Sequence, residues 1–164
     1  VLISSLLGFS TSAISATTHQ TLAAIHKKFQ PASIDKLDAK TQDQIICLSL
    51  NLYHEIRGGS DKEINAVGFS TRNRVRATDA NYCTTIWSKG QYVWTKRSIN
   101  GILPHESKSW DKVVDMAKPI VTNTSLPDPT GGANSFFSRK IRAPRWACKS
   151  ILHKIIGHHV FVKQ

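Results

Sequence analysis

Acidic side chains are scarce in this sequence. Of 164 residues, 11 are Asp or Glu against 22 Lys or Arg, a formal net charge of +11. Only Glu55, Glu63 and Glu106 are glutamates. A chain so short of negative charge seeks anionic partners: nucleic acid, acidic membrane surfaces or anionic wall polymers. Its basic residues are scattered, with no continuous basic arm and no nucleic-acid fingerprint, so nucleic acid is not the expected partner. Cysteine is also sparse, with three residues, Cys47, Cys83 and Cys148. An odd count leaves room for one disulfide in an exported protein. Cys83 with Cys148 is the more natural pair, because Cys47 falls on an expected core helix. Three unpaired small hydrophobes fit equally well. No repeat at a solenoid period and no low-complexity tract occurs, which excludes repeat architectures.

Several reactive signatures are missing too. His54-Glu55 lacks the second histidine of H-E-x-x-H, and His105, His153, His158 and His159 show no ligand spacing. Neither a metal nor a cofactor is therefore expected. There is no G-x-S-x-G and no diagnostic cysteine context, which argues against a Ser or Cys nucleophile.

What is present is enough for one domain with a real core. Residues 1–16, "VLISSLLGFSTSAISA", carry no charge, begin apolar and end in small residues. They read as a truncated secretory signal with cleavage near Ala16; a frayed helix or uncleaved anchor is the alternative. The stretch is too short and Ser-rich for a stable membrane span. Residues 17–40 are polar and mixed and read as a leader. Residues 41–164 form the domain.

The domain opens on a capping-box pattern, Thr41 to Gln44. Ile45, Leu48, Leu52 and Ile56 follow at the spacing of one helical face, and Gly58-Gly59 ends the helix. A second capping box, Ser60 to Glu63, starts a helix striped by Ile64, Val67, Thr71 and Val75. The short turn folds the two helices against each other, with Gly68 allowing close approach. A third helix fits 108–122, where Pro119 should kink or shorten it. "LPDPTGG" is a turn-rich loop, and "ANSFFS" and "HHVFV" read as short pairing strands. The expected class is α+β, helix-dominated with a small antiparallel sheet.

Within this frame Glu55 is out of place. At about 100° per residue it lies on the side of Leu48 and Leu52, the face the helix should bury. It also sits in the last turn, at the negative end of the helix dipole. Both settings raise a carboxyl pKa, as a general acid near neutral pH requires. Arg57 or His54 would oppose this by pairing with it, and a structural ion pair is the competing explanation.

Several segments resemble the SleB-type cell-wall hydrolase family. "LNLYHEIRGGSDKEINAVGFSTRNRV" is similar to its opening, an acid followed by Arg-Gly and a helix ending in Asn-Arg-Val. "CTTIWSKGQYVWT", "LPDPTGGANSFF", "APRW" and "KIIGHHVFVK" resemble its later segments, in order, from about residue 45 to 163. The resemblance implies a lysozyme-like fold and an enzyme that cuts peptidoglycan glycan strands at the MurNAc–GlcNAc β-1,4 bond. It places the catalytic acid at Glu55. It further implies a lytic transglycosylase, exported to the periplasm or wall or acting as a phage lysin; separately, a monomer is expected. One carboxyl group suffices for that reaction, whereas an ordinary glycosidase needs two. Asp61, Asp79 and Asp128 are the candidate second acids for hydrolysis. Gln91, Tyr92, Trp94, Phe136 and Trp146 are the expected sugar-binding residues, with core packing the alternative for Trp94 and Phe136. Asp128 is expected to shape the cleft wall. Ser135 and Pro119 depart from the family pattern. A catalytically silent wall-binding domain is the alternative function.

Overall fold

A computed structural model describes residues 15–164. The segment read as a signal lies, up to residue 14, outside the described residues. The elements run α1 (Ala16–Lys28), α2 (Ala39–Ile56), α3 (Asp61–Thr78), α4 (Tyr82–Trp87), α5 (Ile99–Ile102), α6 (Ser107–Thr122), β1 (Ser135–Ser138), β2 (Leu152–Ile156) and β3 (His159–Lys163). The class is α+β: helices dominate, and the strands form one antiparallel sheet of order β1-β3-β2.

The central element is α2. Every residue from Ile45 to Tyr53 is buried, so the helix is enclosed on all sides rather than on one stripe. α6 packs along it with Trp110, Val113, Val114, Ala117 and Ile120 buried. α6 runs through Pro119 to Thr122 and is not shortened there. Pro119 has no N–H to donate to the Asp115 carbonyl and so forfeits one helical bond, but buried Ile120 keeps the helix packed for the remaining residues to Thr122.

α2 starts earlier than its capping-box pattern predicts. Asp38 is the N-cap, and its carboxylate accepts from the Thr41 amide at 3.0 Å. Gln44 is thereby released from capping, and its Oε1 accepts from the Tyr82 amide at 2.7 Å, tying α4 to α2. The cap of α3 is as expected, with Ser60 and Glu63 bonded reciprocally. Gly68 serves α6 rather than the α2–α3 pair: a Cβ there would meet Ile120 Cδ1 at 2.5 Å, while Leu52 Cδ2 lies at 3.8 Å.

The disulfide differs from the expected one. Cys47 on α2 is bonded to Cys83 on α4, with Cα atoms 5.2 Å apart, and Cys148 is free and exposed. The α2–α4 contact brings the two core sulfurs together, which sequence distance does not reveal.

Four further elements were not expected: α1, the short α4 and α5, and β2. α1 lies in the 17–40 stretch and buries Thr18, Thr21, Leu22 and Ile25. β2 adds the outer edge of the sheet, pairing Leu152 to Lys163 and Ile156 to His159.

Glu63 joins sheet to helices. It is only 5% exposed. Besides its capping bonds it accepts from the His158 amide at 2.7 Å. Gly157 has φ +58°, and a Cβ there would collide with the Glu63 carboxyl group. The cover is thin, a single turn, so desolvation is outweighed. The His158 amide bond, with those from Ser60, lowers the Glu63 pKa to about 2. Its folded pKa lies below the ordinary 4.5, so its contribution is complete above about pH 4.5 and vanishes as pH falls through about 2. Glu63→Gln should flatten that acid limb, read as Tm against pH. An unchanged limb would remove Glu63 from this role.

Candidate active site

Glu55 sits where α2 leaves the core. It is exposed, not buried as the helical spacing predicts. The spacing argument fails because a helix enclosed on every side has no single buried face, and its end emerges from the packing.

Two cavities meet at this residue. One, of about 510 Å³, is walled by Glu55, Arg74, Gln91, Tyr92, Phe136 and Trp146, with Asn134, Ser135 and Gln164 alongside. The other, of about 650 Å³, is walled by Tyr53, His54, Glu55, Arg57, Glu63 and His159, with the Gly58-Gly59 turn as its floor. Glu55 lines both. The arrangement is a groove passing the carboxyl group on two sides.

Enclosure and charge act on Glu55 in opposite senses. Water reaches it, yet the surrounding protein removes enough hydration to raise its pKa above 4.5. The Arg97 and Arg74 charges pull it back without cancelling the rise. Continued access of water limits the size of the shift. No hydrogen bond or ion pair engages its carboxylate among the described residues. Arg57 is instead 3.7 Å from Glu106 and lies over the Tyr53 ring. His54 bonds the Ile102 carbonyl at 2.8 Å and stacks on Trp94 at 4.7 Å. Burial, first of all, lowers the His54 pKa, which favours a neutral ring donating from Nε2. Neither neighbour neutralises Glu55.

Arg74 on α3 organises the first cavity. Its Nε donates to the Asn134 carbonyl at 2.9 Å, and its Nη1 donates to Gln91 Oε1 at 2.8 Å and to the Tyr92 hydroxyl at 3.2 Å. One guanidinium thus links α3, the 88–92 loop and the approach to β1. In the sequence Arg74 stands out only as the arginine of the Asn-Arg-Val end of the family-like opening segment. Its Asn-Arg-Val setting was the signal, but not the direction in which the side chain points.

The remaining candidates divide. Gln91, Tyr92, Phe136 and Trp146 share the first cavity with Glu55. Trp94 does not reach it: only 2% exposed, it donates from Nε1 to buried Asn51 at 3.3 Å. Asp128 lines neither cavity. Its oxygens accept from Asn73, Gly132 and Thr130, which holds the turn before β1. Ser135, the departing position, stands in the cavity wall. Among the described residues no group of three or more His, Cys, Asp or Glu is placed to hold a metal.

A family described as Cell Wall Hydrolase matches residues 58–162. The chain belongs to this family. The match covers more than half of the chain and includes α3 to α6 and the sheet as far as Val162. This cell-wall hydrolase therefore takes peptidoglycan as its substrate class. Glu55 lies three residues ahead of the matched span, so its role depends on the groove geometry. No curated protein and no solved structure matches the hydrolase.

Proposed function

We propose that this cell-wall hydrolase cuts glycan strands as a lytic transglycosylase, with Glu55 as the sole acid and base. The observation that carries this reading is the position of Glu55 on both cavities, so that a threaded strand would place one bond at its carboxyl group. The other groove carboxylate, Glu63, is committed to the Ser60 and His158 amides and stays ionised to about pH 2. Asp61 pairs with Lys112 at 2.7 Å, Asp128 is held in its turn, and Asp79 caps α3 away from both cavities. A two-carboxylate hydrolysis would have to draw Glu63 or one of these aspartates out of its present bonds, which favours the single-acid reading.

Glu55 in its acid form donates its proton to the glycosidic oxygen as the C1–O bond breaks. The carboxylate left behind accepts the proton of the sugar's own C6 hydroxyl, whose oxygen closes on C1. An anhydro ring forms, no water is consumed and Glu55 regains its proton. Proximity of the intramolecular hydroxyl replaces the second carboxylate. Phe136 and Trp146 offer aromatic faces and Gln91 an amide to the sugars on one side, while buried Tyr92 backs the wall through Arg74. A buried disulfide suits work outside a reducing cytosol, in keeping with export to the wall.

Mass spectrometry of products from purified peptidoglycan is the test. Anhydro-sugar ends support the reading; reducing ends would replace it with hydrolysis. Retention on peptidoglycan without any release would favour a silent binding domain.

The electrostatics give a pH prediction. Activity needs the protonated acid and should fall as pH rises through the raised Glu55 pKa. Arg97 lowers that pKa, so Arg97→Gln should move the falling limb to higher pH. A limb that does not move, or moves down, contradicts the arrangement.

A further inference from the structure

The sheet has a second face that the groove does not use. β3 turns Phe161 into the core and His159 toward Glu63, so those side chains face the helices. Val160 points the other way, and its cross-strand partners are Phe137 on β1 and Ile155 on β2. The Trp146 ring stands edge-on to Phe137 at 5.9 Å. An apolar row, Trp146–Phe137–Val160–Ile155, therefore crosses the outer face.

Phe137 and Val160 are half-buried and Val162 beside them is fully buried, but apolar side chains protrude around this row and the surrounding chain is basic. Ile141, Trp146, Ile151 and Ile155 are 57%, 44%, 88% and 60% exposed. No Asp or Glu follows Asp128, and all seven Lys and Arg beyond it are exposed. Lys140 and Arg142 flank Ile141, Arg145 precedes Trp146, and Lys149 lies two residues before Ile151. A soluble surface seldom gathers protruding isoleucines without a use for them.

We propose that this outer face docks the hydrolase on an anionic lipid surface. Two features select lipid over a polyphosphate chain or nucleic acid. Basic side chains alone would serve a polyanion, whereas exposed isoleucines gain only where acyl chains receive them. Ile141 and Trp146 also have basic neighbours in the chain, Lys140 with Arg142 and Arg145 respectively, the pattern of an interfacial anchor. Trp146 belongs to both the docking face and the first cavity, so the groove would open beside the lipid surface. Docking does not depend on how Glu55 acts.

The test is co-sedimentation with phosphatidylglycerol–phosphatidylcholine vesicles against pure phosphatidylcholine. The protein should pellet with the anionic vesicles only. Lys140→Gln, Arg142→Gln and Lys149→Gln should each weaken binding about fivefold. Ile141→Ser with Ile155→Ser should weaken it further, at unchanged Tm; Ile141→Ser alone, in a turn, guards against a strand defect. Failure to pellet at low salt overturns the proposal. So does equal retention on soluble polyphosphate with no effect of the isoleucine changes, which would assign the face to a polyanion. Vesicle binding is read without cleavage, so neither result bears on the glycan-cleaving reading.

Discussion

Replacing Glu55 by Gln is expected to reduce release of peptidoglycan fragments by at least about 10²-fold, the ordinary scale of general acid–base catalysis. The same change should not lower Tm, and this second half separates two explanations. A structural ion pair would make the carboxylate stabilising, and its loss would cost stability. Among the described residues Glu55 has no such pair, and its folded pKa is raised. A raised carboxyl pKa means that the folded state holds the ionised form less well than the unfolded chain does. Glu55 therefore opposes folding above about pH 4.5, and not at pH values where both states are protonated. Glu55→Gln should be as stable as the parent at low pH and slightly more stable at neutral pH. An inactive variant with a clearly lower Tm would point to a structural role, and an active variant would end the catalytic assignment.

Breaking the Cys47–Cys83 disulfide should produce the largest stability effect. The bond spans a sequence separation of 36. Loop-closure entropy for that length amounts to about 4 kcal/mol. For a chain of this size the loss corresponds to a fall in Tm of roughly 8–16 °C. Cys47→Ala with Cys83→Ala, or reduction of the parent protein, should both show it by calorimetry. The bond fastens α4, and the Gln91-Tyr92 wall of the first cavity follows directly after that helix. Activity should therefore fail at a lower temperature than in the parent. Cys148→Ala is the control and should change neither Tm nor the mapped disulfide. A Cys83–Cys148 bond in a peptide map, or an unchanged Tm on reduction, would contradict this connectivity.

The residues readable in advance were those with local causes. Ser60 and Glu63 cap α3 because the two side chains are three residues apart, and nothing distant is needed. α6 announces itself through an apolar stripe, and β1 and β3 through short alternating runs. α1 escapes because two of its buried positions are Thr18 and Thr21, which read as polar. β2, "LHKII", mixes charge into an edge strand and lacks clean alternation. The Asp38 cap was missed because Thr41 offered a similar pattern three residues later.

The candidate site divides along the same line. Sequence alone determined that one acid, Glu55, ends a strongly apolar helix, and that aromatic and amide residues follow at family-like positions. It also determined the excess of positive charge. Those properties belong to residue type and near-neighbour spacing. Only the tertiary structure decided that Glu55 is exposed in a groove, that Cys47 meets Cys83, that Arg74 joins three segments, and that Trp94 and Asp128 turn to structural bonds. Each of these depends on which distant surfaces close around a side chain, and helical period carries no information about what stands opposite.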